Sequence, residues 1–204
     1  MNKNKPDYYD DIEKTYIKVW ELLSSGLKNR NAPFHIPVFI CGGRNMSDGR
    51  IVVLRGLDEK KKKLWFHSDI RSKKVKILKS NPIGCLLFYD KTEKIQLRVI
   101  GKIKINYKNK ITDKSWKKTV HMSRQCYLGN KPPGSSSDMP TSGLSENIDN
   151  LKYSLEESEI GYENFCVIET NIKSIEWLYL AAKGHRRAIF DIKNGFITKK
   201  WLIP

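Results

Sequence analysis

The chain has 204 residues, of which 39% are hydrophobic and 10% aromatic; this fits one domain with a real core and excludes a wholly disordered protein. Lysine and arginine outnumber aspartate and glutamate by 38 − 22 = 16, so the surface can attract anionic partners. No apolar run approaches the roughly 18 residues of a membrane helix, and the amino terminus lacks the apolar stretch of a signal peptide. We therefore expect a soluble cytoplasmic protein with a single domain over residues 1–204.

The first half of the chain predicts two helices and three strands. Apolar residues at near-helical spacing indicate an amphipathic helix over 8–29, within an amino-terminal segment 1–30. A strand at 37–43 follows, and the β-branched run at 50–57 is predicted to form a hairpin with a strand at 64–68. A short helix over about 70–80 ends before an Asn-Pro pair.

The second half alternates long strands with polar segments. A strand at 83–89 precedes a longer one at 96–107, whose single glycine is typical of a β-bulge. Residues 112–127 are predicted to be helical, with Thr112 or Asp113 as the cap. The glycine-, proline- and serine-rich segment 129–147 is predicted to be a flexible loop, which either covers a site or is a plain surface excursion. The remaining predicted elements are a short helix at 148–159, strands at 165–170, 174–182 and 186–192, and a closing tail WLIP.

Strands outnumber helices in this pattern, and short turns join most neighbours. Such a pattern predicts a mainly β, α+β fold, with a largely antiparallel barrel or sandwich and helices packed on its outside.

The cysteines and histidines form no recognisable metal-binding pattern. The four cysteines are far apart, so no CxxC pair exists, and the four histidines form no HExxH motif. The sequence also lacks GxGxxG and GxxxxGK[ST], so neither a Rossmann nor a P-loop nucleotide site has support. We expect reduced, mostly buried cysteines and no metal site.

The start of the predicted helix near residue 70 has an unusual concentration of positive charge. Arg71, Lys73 and Lys74 crowd its first turn, where the helix dipole and the free N–H groups normally favour acidic residues. A bound phosphate would make this arrangement favourable, because N–H groups, the Ser72 hydroxyl and the cations would converge on one dianion. The alternative is that the long side chains extend into water.

Two arginines and a glutamine add to this signal. Arg50 and Arg55 bracket a β-branched run, and their odd spacing places them on opposite faces unless the strand bends. We therefore expect them to meet two different anionic groups. Gln96 opens another strand, and its amide can pair with the imide edge of a flavin or nucleobase. An exposed surface role is the alternative for this glutamine.

Five segments, in matching order and spacing, resemble the pyridoxamine 5′-phosphate oxidase family of FMN-binding split barrels. They are RIVVLR (50–55), FHSDIRSKK (66–74), NP (81–82), LLFY (86–89) and QLRVIG (96–101). The chain looks most like the oxidase-like branch that carries an RSxK element in place of SRK. The resemblance spans about 50–107 and continues more weakly through HRR (185–187) and the closing Leu-Ile-Pro.

This resemblance implies an antiparallel split β-barrel with flanking helices. It also implies a homodimer with two FMN molecules at the subunit interface. The segment from Arg50 to Arg55 would line the flavin, and His67 and Ser68 would lie beside the phosphate or ribityl chain. Ser72 and Lys74 would hold the phosphate, together with Arg71 or Lys73. The cofactor-binding residues implied are Arg50, Ile51, Val52, Val53, Leu54, Arg55, His67, Ser68, Arg71, Ser72, Lys73, Lys74, Gln96, Trp177 and Arg187.

The late part of the chain is expected to complete the flavin site. Gln96 would approach the ring from the second subunit, and Trp177 and Arg187 lie at the spacing of the family's late flavin contacts. A cation near the N1–C2=O region of the flavin stabilises its reduced form, and Arg187 is our candidate for this role. His185 and Arg55 are candidates for orienting a small anionic substrate.

The substrate residues depart from the family pattern. Arg55 replaces the family's substrate-phosphate lysine, and Lys183-Gly184-His185 replaces the late Arg-x-His motif. Only Ser123, Arg124 and Tyr127 are loose candidates for the family's Ser, Arg and Tyr contacts to pyridoxal phosphate. Cofactor binding is therefore better supported than oxidation of vitamin B6.

The leading hypothesis is an FMN-binding oxidoreductase that transfers a hydride or electrons to FMN. The first alternative is a non-catalytic protein that carries or senses FMN, haem or a deazaflavin, since fold does not fix chemistry. The second is a nucleic-acid binder, motivated by the net charge of +16. The scattered lysines lack the clustered aromatic-basic face of such a module, so nucleic acid is an unlikely partner.

Overall fold

The structure is a computed structural model that describes residues 5–43, 46–182 and 184–204. Its strands form one nine-stranded antiparallel sheet in the order β2-β1-β5-β6-β7-β4-β3, with β8 pairing with β7 and with β9. The strands are β1 (Val38–Gly43), β2 (Met46–Ile51), β3 (Gly56–Asp58), β4 (Lys63–Asp69), β5 (Ile83–Asp90), β6 (Ile95–Asn106), β7 (Phe165–Tyr179), β8 (Arg186–Lys193) and β9 (Phe196–Leu202). This open antiparallel sheet with flanking helices is a split barrel, as predicted.

Five α-helices lie outside the sheet in the part of the chain that is described. They are α1 (Ile12–Lys28), α2 (Lys73–Ser80), α3 (Lys110–Lys118), α4 (His121–Arg124) and α5 (Glu146–Asp149). The first helix begins four residues later than predicted because the Asp11 carboxylate caps it, accepting from the amides of Glu13 and Lys14. Its apolar face buries Val19 and Leu23 in the core.

The predicted strand 50–57 is wrong in its middle. The structure ends β2 at Ile51 and starts β3 at Gly56, and the amides of 52–55 bond to two other segments, 35–37 and β4. The amides of Val52, Leu54 and Arg55 donate to the carbonyls of Pro37, His35 and Trp65 respectively. These three amides therefore have partners although the residues do not belong to a strand.

Two predicted strands, 165–170 and 174–182, are one strand, β7. It pairs with β6 along its length, while its first half also pairs with β4 and its second half with β8. The register shifts opposite Gly101, where Lys173 is the extra residue of a bulge. A Cβ at Gly101 would lie 2.4 Å from the Asn171 carbonyl oxygen, so the close approach requires glycine. The bulge keeps the buried side chains of both halves of β7 on the same face.

The two helices predicted after β6 were placed wrongly. Asn109, not Thr112 or Asp113, caps α3: its side chain accepts from the amides of Ile111 and Thr112, and the Thr112 hydroxyl accepts from its amide. Residues 112–127 are not one helix, since α3 ends at Lys118, α4 covers 121–124 and a 3₁₀ turn covers 125–127. In place of a helix over 148–159 the chain has α5 and a 3₁₀ helix at Glu157–Asn164. The edge strand β9 was not predicted.

The core has a large part and a small part, on opposite faces of the sheet. The large part lies on one face, where rows such as Leu86–Val99–Ile175–Phe190 run across four strands and are fully buried. The small part lies on the other face, where Trp116, Tyr127 and Tyr162 pack over the ends of β4 and β7. We call this other face the outer face.

The outer face is covered at one end and uncovered at the other. Its covered half carries Trp65, His67, Phe165, Val167 and Glu169, beneath the segment 107–164. Its uncovered half, which we call the open face, consists of three rows across β5, β6, β7 and β8. The rows are Tyr89–Gln96–Leu178–Arg187, Leu87–Arg98–Glu176–Ile189 and Cys85–Ile100–Ser174–Asp191.

Candidate functional site

A cationic cluster lies where β4 meets the start of α2; we define it as Arg50, Ser68, Ser72 and Lys74. Ser72 is the N-cap residue of α2, but its hydroxyl makes no capping bond within the described residues. The Lys74 ammonium donates to the Ser68 hydroxyl at 2.8 Å and to the Ser72 hydroxyl at 3.3 Å. Both serines are buried, with 5% and 3% of their surface exposed. The sequence-predicted pair Ser72 and Lys74 is therefore held together.

Lys74 is a half-buried cation without a carboxylate partner in the described part of the chain. Burial and then the nearby Arg50 lower the pKa of its ammonium group. Arg50 itself pairs with Asp48, and its hydrogen bond lowers the pKa of that carboxyl. Arg50 and Lys74 thus face Asp48, while the other nearby carboxylate, Asp69, is paired with Arg71. A phosphate fits this surplus, because it would give the ammonium, the two hydroxyls and the free amides of α2 an anionic acceptor.

Two buried cysteines border the cluster and add no charge to it. Cys41 on β1 and Cys166 on β7 are 3% and 0% exposed, and both are close enough to affect the pKa of Lys74. Burial raises the pKa of the Cys166 thiol to about 12 and raises that of Cys41 as well. Both thiols are therefore protonated at neutral pH. The prediction of mostly buried cysteines holds for these two, whereas Cys85 is half-buried and Cys126 is exposed.

Arg71 and Lys73 lie outside the cluster. Arg71 forms a forked ion pair with the Asp69 carboxylate (Nη2 to Oδ2, 2.7 Å), which also accepts the Arg71 amide. Its Nη1 donates to the Gly129 carbonyl at 3.0 Å, which ties the 129–145 segment to the start of α2. Lys73 is exposed. Of the four residues predicted to hold the phosphate, Ser72 and Lys74 converge, and Arg50 joins them instead of Arg71.

The segment predicted to line the flavin presents only alternate side chains. Val52 and Leu54 point into the core, 9% and 1% exposed. Ile51 and Arg55 are exposed and Val53 is half-buried. Ile51, Val53 and Arg55 are therefore available to a ligand, and Val52 and Leu54 could contribute backbone atoms only.

His67 and Ser68 lie on opposite faces of β4, as neighbours on a strand must. The ring of His67 packs edge-on against Phe165 at 4.8 Å in the covered half of the outer face. Burial, with a smaller effect of the nearby Arg55, lowers the pKa of His67 to about 4, so this imidazole is neutral at pH 7. The structure thus brings Ser68 to the cluster and His67 near Arg55, but not both to one place.

Gln96 and Arg187 share the first row of the open face, on either side of Leu178. Arg187 pairs with Glu176 (Nη2 to Oε2, 3.0 Å), and its buried Nε has no acceptor among the described residues. Trp177 lies on the opposite face of β7, is 0% exposed and packs against Tyr8. Its position does not group with Gln96 and Arg187.

The late substrate candidates are placed differently from one another. His185 is exposed just before β8, and Lys183 beside it lies outside the described residues. Arg124 is 4% exposed, stacks over Trp116 at 4.6 Å and pairs with Glu159, so it supports the fold and does not face a ligand.

A cavity of about 640 Å³ opens beside Asp69 and Arg71, lined mainly by residues 129–137 and 141–144. This segment has no regular secondary structure before α5, as predicted.

Sequence reasoning missed two carboxylates of this region. Asp48 is two residues before Arg50 on β2, a spacing that places both side chains on one face and could have indicated the pair. Glu176 bonds both Arg98 and Arg187, and only the strand register reveals this, because the three residues are far apart in the chain.

Residues 23–107 match the family model described as "Pyridoxamine 5′-phosphate oxidase, FMN-binding domain". This match confirms the predicted resemblance and its cofactor, FMN. No curated protein matches the chain. None of the helices in the described residues combines the length and apolar character that a membrane crossing requires.

Solved structures confirm the fold. The chain is similar to an FMN-binding protein of Nostoc punctiforme related to pyridoxamine 5′-phosphate oxidase, with 17% identity over 92% of this chain and 96% of that one and a TM-score of 0.73. It is also similar to PhzG of Burkholderia lata, with 15% identity, coverage of 99% and 98% and a TM-score of 0.69. A Clostridium acetobutylicum protein related to general stress protein 26 gives 17% identity, coverage of 90% and 99% and a TM-score of 0.54.

Proposed function

We propose that this split barrel, whose residues 23–107 match the FMN-binding domain of the pyridoxamine 5′-phosphate oxidase family, is an FMN-dependent oxidoreductase in the cytoplasm. The observation that carries the proposal is Lys74, a half-buried cation with two buried hydroxyls for partners at the start of a helix. Arg50, Ser68, Ser72 and Lys74 would hold the FMN phosphate. FMN, when bound, supplies the hydride or electron transfer.

The protein's own part is placement and electrostatics. Gln96 would pair its amide with the imide edge of the flavin, and Arg187 would direct the exposed part of its guanidinium at the N1–C2=O region. Arg55 is exposed near neutral His67, and with His185 it would orient a small anionic substrate. No carboxylate pair or catalytic triad is required for this chemistry.

The placement of these residues supports a homodimer. Arg50 shares the core-side face with Phe39, its partner across β1, whereas Gln96 and Arg187 lie on the open face. One FMN could not touch both groups within a single chain without crossing the sheet. Two copies that meet through their open faces would allow the cationic cluster of one subunit and the Gln96 row of its partner to bind the same FMN. We therefore propose that FMN lies between two subunits.

The test of the phosphate role compares FMN with riboflavin, which lacks the phosphate. Lys74→Met should weaken FMN binding, followed by quenching of flavin fluorescence, by about 10- to 100-fold, because charged hydrogen bonds are worth roughly 1.5–3 kcal/mol. Riboflavin binding should change little. Lys73→Met is the matched control, since it removes an exposed ammonium one residue away. Equal losses for both ligands, or equal effects of the two variants, would refute the phosphate role.

A second measurement separates an enzyme from a flavin carrier. The FMN-loaded protein should be reduced by a nicotinamide donor or an oxidisable substrate and reoxidised by oxygen or another acceptor. A yellow protein whose flavin takes part in neither reaction would be a binding protein, the alternative function.

A further inference from the structure

Three of the four charged residues in the rows of the open face form one ionic group; the fourth is Asp191. The Glu176 carboxylate on β7 accepts a hydrogen bond from Arg98 on β6 (Nη1 to Oε1, 3.1 Å) and forms an ion pair with Arg187 on β8 (Nη2 to Oε2, 3.0 Å). Its side chain is 14% exposed, compared with 42% for Arg98 and 30% for Arg187. Each carboxylate oxygen of Glu176 therefore pairs with a cation on a neighbouring strand.

The pairing leaves Arg187 in a defined orientation. Its Nη2 forms an ion pair with Glu176, while its Nε is buried and has no acceptor in the ranges that the structure describes. The Arg187 side chain as a whole is 30% exposed, so the exposed part of its guanidinium can still contact a ligand on the open face. The open face on which it lies is not covered by the described residues, and Gln96 lies in the same row.

We propose that Glu176 is a positioning residue that orients Arg187 towards the flavin and holds the reduction potential of bound FMN low. The inference rests on the proposed function, in which Arg187 faces the N1–C2=O region. The Arg98–Glu176–Arg187 group carries one net positive charge, whereas the two arginines alone would carry two. Reduction increases the negative charge near N1, so a stronger positive field there would favour reduced FMN. Glu176 weakens that field.

The test is a redox titration of the FMN-loaded protein, read from the visible spectrum. Glu176→Gln keeps the size of the side chain and removes its charge. The affinity for reduced relative to oxidised FMN should rise about tenfold, which for a two-electron couple is a shift of about 30 mV towards positive potential. Arg98→Gln should shift the potential in the opposite direction, because Glu176 then faces one cation only. This exposed position makes a folded variant easier to obtain.

Glu169→Gln is the matched control. Glu169 is also on β7 and the outer face, is 10% exposed and pairs with Lys63 at 2.8 Å, but it lies seven residues away in the covered half. Its replacement should leave the potential unchanged. Unchanged potentials in both Glu176→Gln and Arg98→Gln, or an equal shift in the control, would overturn the role of Glu176 and leave the proposed function intact. A wild-type protein that takes up no FMN would overturn both.

Discussion

The two halves of the outer sheet face differ in what covers them. In the covered half, Trp116, Tyr127 and Tyr162 from the segment 107–164 pack over β4 and β7. The open face carries side chains of similar apolar character, but no such segment of the described chain packs over them. Its leucines and isoleucines are half-buried. They are Leu87, Ile100, Leu178 and Ile189. A half-apolar face favours a further layer; the chain itself supplies that layer in one half, and we propose that a second molecule supplies it in the other.

The ionic groups of the two halves follow the same contrast. In the covered half Glu169 has one partner, Lys63, whereas in the open half Glu176 holds two arginines. The first pair is complete within the chain. The second group leaves both of its arginines partly exposed, with 42% of the Arg98 and 30% of the Arg187 side chain accessible.

The largest expected effect is on stability, through the small core that covers one half of the outer face. Trp116→Ala should lower the free energy of unfolding by about 3–5 kcal/mol, because it empties the centre of the small core, where the ring contacts Tyr127 and Phe165. Chemical denaturation at low protein concentration measures this. Ile83→Ala at the edge of the open side, where 47% of the side chain is exposed, is the control and should change stability by less than about 0.5 kcal/mol. Similar losses for the two variants would contradict the contrast between the halves.

The sequence predicts the central strands well, because their patterns are local. The alternation in 83–89 and 96–107 predicts the ends of β5 and β6 to within one residue. Gly101 in the second segment correctly indicates a bulge. Strand β9 escaped prediction because its side chains are mostly exposed and it pairs only with β8, so no apolar alternation exists. The prediction divided β7 at residues 171–173, where pairing with β6 keeps the strand continuous across a bulge.

The candidate site also has parts that the sequence predicts and parts that it does not. Ser72 and Lys74 were predicted because an excess of cations at a helix start is visible in the sequence, and the structure brings them together. The ion pair between Arg71 and Asp69 depends on side-chain geometry, which the spacing of residues in the sequence does not specify. The separation of Trp177 from Gln96 depends on register across β6 and β7, because directly paired residues share a face and Gln96 pairs with Leu178.

The covered half also predicts a pH effect on stability. His67 has a pKa of about 4 when folded, below its ordinary value of 6.5. Between these values the unfolded chain binds a proton that the folded chain does not, so stability falls as pH decreases from 6.5 to 4. The loss from this residue is about 3 kcal/mol, at 1.36 kcal/mol for each pKa unit.

Unfolding of the wild type and of His67→Gln at pH 8 and pH 4 measures this loss. At pH 8 both side chains are neutral, so the difference between the proteins reports packing alone. At pH 4 the variant should have gained about 3 kcal/mol relative to the wild type. An unchanged difference at the two pH values would show that the imidazole is not held neutral against Phe165.

The open half predicts an effect on assembly with little effect on the fold. Leu87→Asp places a charge in the middle row of the open face, beside Arg98. If two copies meet there, the dimer dissociation constant, measured by analytical ultracentrifugation, should rise by more than about thirtyfold, the scale of a central interface residue. FMN affinity should fall with it, because the Gln96 row of the partner would be lost.

Ile111→Asp is the matched control for this variant. Ile111 is also a partly exposed apolar residue, but it lies in the first turn of α3, where an acidic residue suits the helix dipole. The dimer should persist in this variant. Dissociation of both variants, or of neither, would mean that the open face is not where the copies meet. FMN binding by a monomeric Leu87→Asp protein with wild-type affinity would place the whole cofactor site within one chain, against the division of its residues between the two faces.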